Sequence, residues 1–198
     1  ERPEVLFPTA GPDVRDVIEA HVPDACCAQS GKLILPIQGF LLKTPDHLIL
    51  VDACIGNDKT NTGTPGWHMR NTSRFMASLQ AAGATPSDVD FVLCTHLHAD
   101  HVGWNTQLVD GRWVPTFPNA RYLLPSADDA LMSAQGSAAY RESVLPVVQA
   151  GQSELVQAEH MLGDEVSLIA TPGHTPGHVS VLIKSKGVEA VITGDALH

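Results

Sequence analysis

Three histidines and an aspartate fall within residues 95–101, THLHADH. Imidazole nitrogen with carboxylate oxygen is the donor set that suits zinc, and also manganese, iron or cobalt. His96 and His98 stand two apart. On extended chain that spacing sends both side chains off one face, roughly 6–7 Å apart, so two imidazoles can converge on one cation. Asp100 and His101 follow after a turn and would point toward a second cation nearby. A lone H-x-H pair is a weak signal, because histidine pairs also arise by accident on surfaces. Two further clusters strengthen it. ATPGHTPGHVS carries His174 and His178, with Pro172, Gly173, Pro176 and Gly177 forming tight bends that fix where an imidazole points. His178 reads as a partner packed behind the bend. VITGDALH puts Asp195 after an apolar strand and a glycine, where a carboxylate can reach between two metals.

The elements that must hold these groups follow from apolar patterning. KLILPIQGFLLKTPDHLILVDACIG is two apolar runs joined by turn chemistry at Thr44, Pro45 and Asp46, which predicts a hairpin. Asp52 ends its second strand, an odd place for a carboxylate unless it faces a cationic group. TSRFMASLQAAG has helical spacing at Phe75, Met76 and Leu79 and a stop at Gly83. DFVLCT is a short buried strand that feeds directly into the histidine motif, with a helix expected around HVGW. GRWVPTFPNARYLLP predicts a hairpin or edge strands, Ser126 a cap for the helix ADDALM, and SAAYRESVLPVVQAG a helix interrupted at Pro146. ELVQA, EVSLIA, HVSVLIK and VEAVIT are strands, the last two joined through SKG. Residues up to about Ser30 predict an irregular lead-in with one short helix near DVRDVIEA. NDKTNTGTPGWH is a long loop; its Trp67 and His68, together with Trp104, are candidates for a substrate wall or for plain packing. The order of strands and helices predicts an α/β domain of two sheets with covering helices.

Composition excludes several classes. A chain of 198 residues, 43% hydrophobic and 17% charged, fits a single domain over 1–198 with a real core. No apolar run reaches the roughly 18 residues of a membrane span. The net charge of −10 with 12 scattered basic residues argues against a nucleic-acid partner, which needs a basic stripe. Cys26, Cys27, Cys54 and Cys94 have neither C-x-x-C spacing nor a regular framework, so buried, reduced thiols are expected. That favours a cytoplasmic location. A periplasmic or secreted one follows instead if a leader has been removed before Glu1.

The ordered set T-H-x-H-x-D-H, G-H-T-P-G-H and T-G-D, each after an apolar strand, resembles the metallo-β-lactamase-fold hydrolase superfamily from about Lys32 to His198. FPNARYLLP and GDALH are most similar to the branch containing methyl parathion hydrolase and lactonases. The resemblance implies an αβ/βα sandwich, two mixed β-sheets with helices on the outer faces. It implies His96, His98 and His174 on a first metal, Asp100 and His101 on a second, Asp195 bridging both, and Asp52 as a carboxylate holding ligands in place. Two zinc ions are the implied cofactor. The implied function is a dinuclear metal-dependent hydrolase in which a metal-bound hydroxide attacks a small-molecule lactone, ester or organophosphate ester, with Asp100 a candidate proton shuttle. A homo-oligomer is compatible with it. Glyoxalase II-like thioester hydrolysis, a di-iron oxidoreductase and a catalytically inactive metal-binding protein are the alternatives. The family closes its second site with a further histidine on a later strand. The chain given ends at His198, so the expectation is a piece of a longer protein lacking the C-terminal part of the fold, with unusual duty for His198 as the other reading.

Overall fold

The structure, a computed structural model, describes residues 2–60, 64 and 66–197. Its contacts divide the chain into a small unit up to Ile37 and a larger unit, Gln38–Leu197. The small unit holds α1 (Pro3–Leu6), α2 (Val14–His21) and a 3-10 turn, Pro23–Ala25. The expected helix near DVRDVIEA is α2, on which Arg15 donates to Glu19 one turn later at 2.9 Å. A single bridge pairs Cys26 with Leu33.

In the larger unit, alternation along the strands sets the architecture. The hairpin is β1 (Phe40–Lys43) and β2 (Leu48–Val51), closed where the His47 amide donates to Thr44 Oγ1 at 3.0 Å. The apolar run before Phe40 is not strand. After α3 (Arg74–Ala81), β3 (Phe91–Leu93) lies parallel to β2, with Leu50 opposite Val92 and Val51 opposite Leu93. Then come α4 (Ala99–Val102) and a separate hairpin of β4 (Thr106–Val109) with β5 (Arg112–Pro115). β6 (Arg121–Pro125) and β7 (Ser153–Val156) complete a five-stranded sheet in the order β1-β2-β3-β6-β7.

The segment RYLLP, expected in a hairpin or at an edge, is therefore a central strand, parallel to β3 and to β7. The reason is burial on both faces. Tyr122 and Leu124 face one side and Leu123 the other, all fully buried, so the strand reads as a continuous apolar run rather than an alternating one. Between β6 and β7 run α5 (Ser126–Gln135), α6 (Ala138–Ser143) and α7 (Leu145–Gln149). Pro146 sits in the first turn of α7, where its missing N–H costs nothing, so the interruption falls at Val144. Ser126 does not cap α5. It is the first helical residue, Pro125 takes the cap position, and no side-chain cap bond forms.

A four-stranded antiparallel sheet follows, ordered β11-β10-β9-β8, from β8 (Met161–Leu162), β9 (Val166–Ala170), β10 (Val179–Ser185) and β11 (Val188–Ile192). Ile49, Val51, Leu93 and Leu123 project from the first sheet into one core with Val166, Leu168, Val179 and Val181 of the second. Their neighbours Leu50, Val92, Tyr122 and Leu124 face a second core shared with Leu79, Met132, Tyr140 and Val147 of the helices. Each leucine-sized burial stabilises by about 1.5–3 kcal/mol. A helix layer, a mixed sheet and a second sheet thus stack, as expected for an α/β layered fold. Among the described residues, no helix is long and apolar enough to cross a membrane.

Candidate metal centre

The candidate metal-binding groups His96, His98, Asp100, His101, His174 and Asp195 gather, with Asp52, beyond the C-terminal ends of β2 and β3. Asp52 follows β2 in the left-handed region (φ 59°), which aspartate tolerates better than most residues. That turn redirects 53–56 alongside 101–104: Ala53 donates its amide to His101 O at 2.7 Å, and Gly103 donates to Cys54 O at 2.7 Å. A Cβ on Gly103 would stand 1.8 Å from the backbone of Ile55, so only glycine permits this crossing. α4 is thereby pinned with the His101 ring over Asp52.

The Asp52 carboxylate, 2% exposed, then sets the proton order around it. Thr95 donates its amide to Oδ1 at 2.7 Å and its hydroxyl to Oδ2 at 2.8 Å. With the Thr95 proton committed, its oxygen accepts from His96 Nδ1 at 3.2 Å. His96 therefore turns the lone pair of Nε2 into the cluster. His101 Nδ1 donates to Asp52 Oδ2 at 2.8 Å, which leaves its Nε2 facing Asp195 Oδ1 at 3.3 Å and Asp100 Oδ2 at 3.7 Å. Fixing a ring through its remote nitrogen is how metal-binding histidines are oriented.

His96 Nε2 lies 3.1 Å from His98 Nδ1, which lies 2.9 Å from His174 Nε2, with the three rings nearly perpendicular to one another. Two three-donor groups result: His96, His98 and His174, and His96, His101 and Asp195. The convergence of His96 and His98 was expected on extended chain. It occurs instead on a bend after β3, which brings the nitrogens much closer than strand geometry would. Asp195 spans both groups, with Oδ2 3.4 Å from His174 Nε2 and 3.9 Å from His96 Nε2.

Charge follows this arrangement. Burial drives the His96 pKa far down, and the neighbouring histidines push the same way. Burial also opposes charge on His101, but its bonds to Asp195 and Asp52 outweigh this and raise its pKa to about 10. The bond to His101 holds the Asp195 carboxyl well below its usual range. His96 and His98 thus resist protonation, while His101 holds a proton between two carboxylates at a place where a divalent cation could take over that positive charge.

His178 stands behind the site, as expected. The Asp195 amide donates to its Nε2 at 3.0 Å, so Nδ1 carries the proton toward Thr171 Oγ1 at 2.8 Å. Gly194 (φ 54°) allows this approach, since a Cβ there would meet His178 Nε2 at 2.8 Å and Thr95 Oγ1 at 2.9 Å. Trp104 is core, stacked on Phe75 at 5.2 Å. Trp67 is half-buried and His68 exposed, while much of the loop before them and His198 lie outside the described residues. All four cysteines are free thiols, yet only Cys94 is fully buried; Cys26, Cys27 and Cys54 are partly buried, with Cys54 packed against the helix-side core. Sequence reasoning gave no role to Thr95 or Asp128, although Thr95 lies inside the histidine motif itself.

Residues 35–198 match the family model of the metallo-beta-lactamase superfamily. The chain belongs to the metallo-beta-lactamase superfamily. An N-acyl homoserine lactonase of a Bacillus species is 30% identical over 181 residues, covering 84% of this chain and 66% of the relative. The crystal structure of a probable metal-dependent hydrolase from Staphylococcus aureus superposes with a TM-score of 0.79 at 21% identity, over 98% of this chain and 68% of that one. An N-acyl homoserine lactone hydrolase, solved with the product N-hexanoyl-L-homoserine at its catalytic metal centre, gives a TM-score of 0.62 at 26% identity, covering 83% and 66%. The chain spans 60–66% of the length of two N-acyl homoserine lactonases that it matches, one from a Bacillus species and one from Bacillus cereus. Superfamily membership agrees with the expectation drawn from the histidine and aspartate motifs, and the lactonase relatives are consistent with the branch suggested by FPNARYLLP and GDALH.

Proposed function

We propose that the protein is a metal-dependent hydrolase that opens lactones, with N-acyl homoserine lactones the first substrates to try. One observation carries this reading: two three-donor groups share His96, and hydrogen bonds from His96 to Thr95 and from His101 to Asp52 aim the remaining nitrogens of both rings inward. His96, His98 and His174 would hold one ion. Asp100 and His101 would hold the other, and Asp195 would bridge. Divalent ions supply charge that polarises a carbonyl and lowers the pKa of water toward neutrality. Zinc suits the donors best.

The chain's own groups have distinct tasks. Asp52 keeps a proton on His101 Nδ1. Thr95 does the same for His96. His178 fixes the backbone of Asp195. Asp100, beside His101 and partly exposed, is the carboxyl placed to deliver a proton to the departing ring oxygen. The lactonase relatives support the choice of a cyclic ester over a phosphoester or thioester.

Proton release during ring opening, followed with a pH indicator, tests the reading. Turnover of N-acyl homoserine lactones should vanish with a chelator, return with zinc, and be absent in His98→Ala, while serine-directed reagents leave it intact. Full activity in protein shown by elemental analysis to hold no metal would refute it.

A further inference from the structure

The three imidazoles of the first donor group come from two separate turns. His96 and His98 share one, and His174 comes from the other, 76 residues later. Something must hold the turns at a fixed separation. On one side Val179 donates its amide to Thr95 O at 2.9 Å. On the other side the tie is Asp128, a fully buried carboxylate in the first turn of α5.

Asp128 accepts its three hydrogen bonds from outside its own helix. Its Oδ2 accepts from Thr175 Oγ1 at 2.8 Å and from the Leu97 amide at 3.3 Å, and its Oδ1 accepts from the Gly177 amide at 2.6 Å. Leu97 stands between His96 and His98, and Thr175 follows His174. One side chain therefore grips the residue flanked by two of the imidazoles and the residue adjoining the third. Gly177 belongs to the same grip, since a Cβ there would meet Asp128 N and Oδ1 at 2.7 Å.

We propose that Asp128 is a positioning residue that sets the spacing between the 96–98 turn and the 174–178 turn, and with it the geometry of the three-imidazole group. This rests on the reading that His96, His98 and His174 hold a divalent ion. The chemistry requires a carboxylate. Two of the three partners are amide N–H groups that can only donate, and they approach different oxygens. An asparagine would turn its NH2 toward one of them whichever way it lay, setting donor against donor. A role in fold stability alone would not need both contacts to fall beside the histidines.

Zinc affinity by chelator competition, with the visible spectrum of the cobalt-substituted protein as a reporter of ligand geometry, tests this without relying on turnover. Asp128→Asn should weaken the first-bound ion at least tenfold and alter the cobalt spectrum. Thr175→Val, which removes one of the three donors, should weaken it about three- to tenfold. Thr175→Ser keeps the hydroxyl and should bind as the wild type does. If Asp128→Asn fails to fold, the two Thr175 variants decide. Wild-type affinity and cobalt spectrum in Thr175→Val and in any folded Asp128→Asn, with only the melting temperature lowered, would overturn the positioning role and leave the metal reading standing. A wild-type protein that takes up no metal overturns both.

Discussion

Replacing Asp52 by asparagine isolates what its charge does. Asparagine adopts the left-handed backbone at this position at least as readily as aspartate, so the turn after β2 survives. The carboxylate accepts three bonds of 2.7–2.8 Å, two from Thr95 and one from His101. An amide can keep only the acceptor half of that pattern. With its oxygen toward the Thr95 amide, its NH2 faces His101 Nδ1 and Thr95 Oγ1. His101 must then move its proton to Nε2, the nitrogen that faces Asp195, and Thr95 no longer fixes the proton on His96. Turned the other way, the NH2 opposes the Thr95 amide. Losing a buried charge-assisted bond costs about 1.5–3 kcal/mol of fold stability. Losing the partner that orients a metal-binding histidine weakens binding by about 10–100-fold, or roughly 1.4–2.8 kcal/mol. His101 bonds Asp52 directly and His96 only through Thr95. The group containing His101 should therefore lose that full factor, while the three-imidazole group changes less than tenfold. Two-step zinc titration against a chelator, with thermal melts on the same samples, reads both effects. Affinities at both steps within threefold of wild type would refute the tautomer argument. Equal loss at both steps would show that Asp52 only supports the fold.

Two more substitutions probe the support around the site. Gly103→Ala should destabilise by more than about 3 kcal/mol or prevent folding, because its Cβ would run into the backbone of Ile55 and Gly56 rather than into a side chain that can move; a chemical denaturation midpoint close to wild type would count against the close crossing. Lys59 is buried, donating to Thr106 Oγ1 at 2.6 Å and Glu142 O at 3.1 Å beneath the face of Trp113, and burial lowers its pKa to about 7 against the pull of Glu142 and Asp58. The unfolded chain, at the ordinary value of 10.5, then binds more protons between those limits. Stability relative to Lys59→Met should therefore rise as pH increases through that window, by less than about 5 kcal/mol since the Trp113 face favours the charged form. Denaturant melts across the window with equal pH slopes for both proteins would exclude it.

The donors of this site are written in local sequence. Imidazole and carboxylate side chains sit at short fixed spacings after apolar strands, and the type of residue alone limits what they can bind. THLHADH, GHTPGH and TGD therefore announced the candidate donors, and the hairpin before Asp52, the helix stopped at Gly83 and the break near Pro146 followed from turn, glycine and proline chemistry. Three features did not. RYLLP became a central strand because both its faces found a core, which depends on layers contributed by distant segments. Thr95 acquired a role only when the chain brought Asp52 to it across 43 residues. Asp128, in an unremarkable acidic helix start, is joined to Thr175 across 47 residues and to Gly177 across 49. A hydrogen bond fixes a proton only where both partners stand within about 3 Å. Residue type and spacing thus determined what could bind here, and only the tertiary contacts decided which nitrogen of each ring faces inward and what holds the turns at that distance.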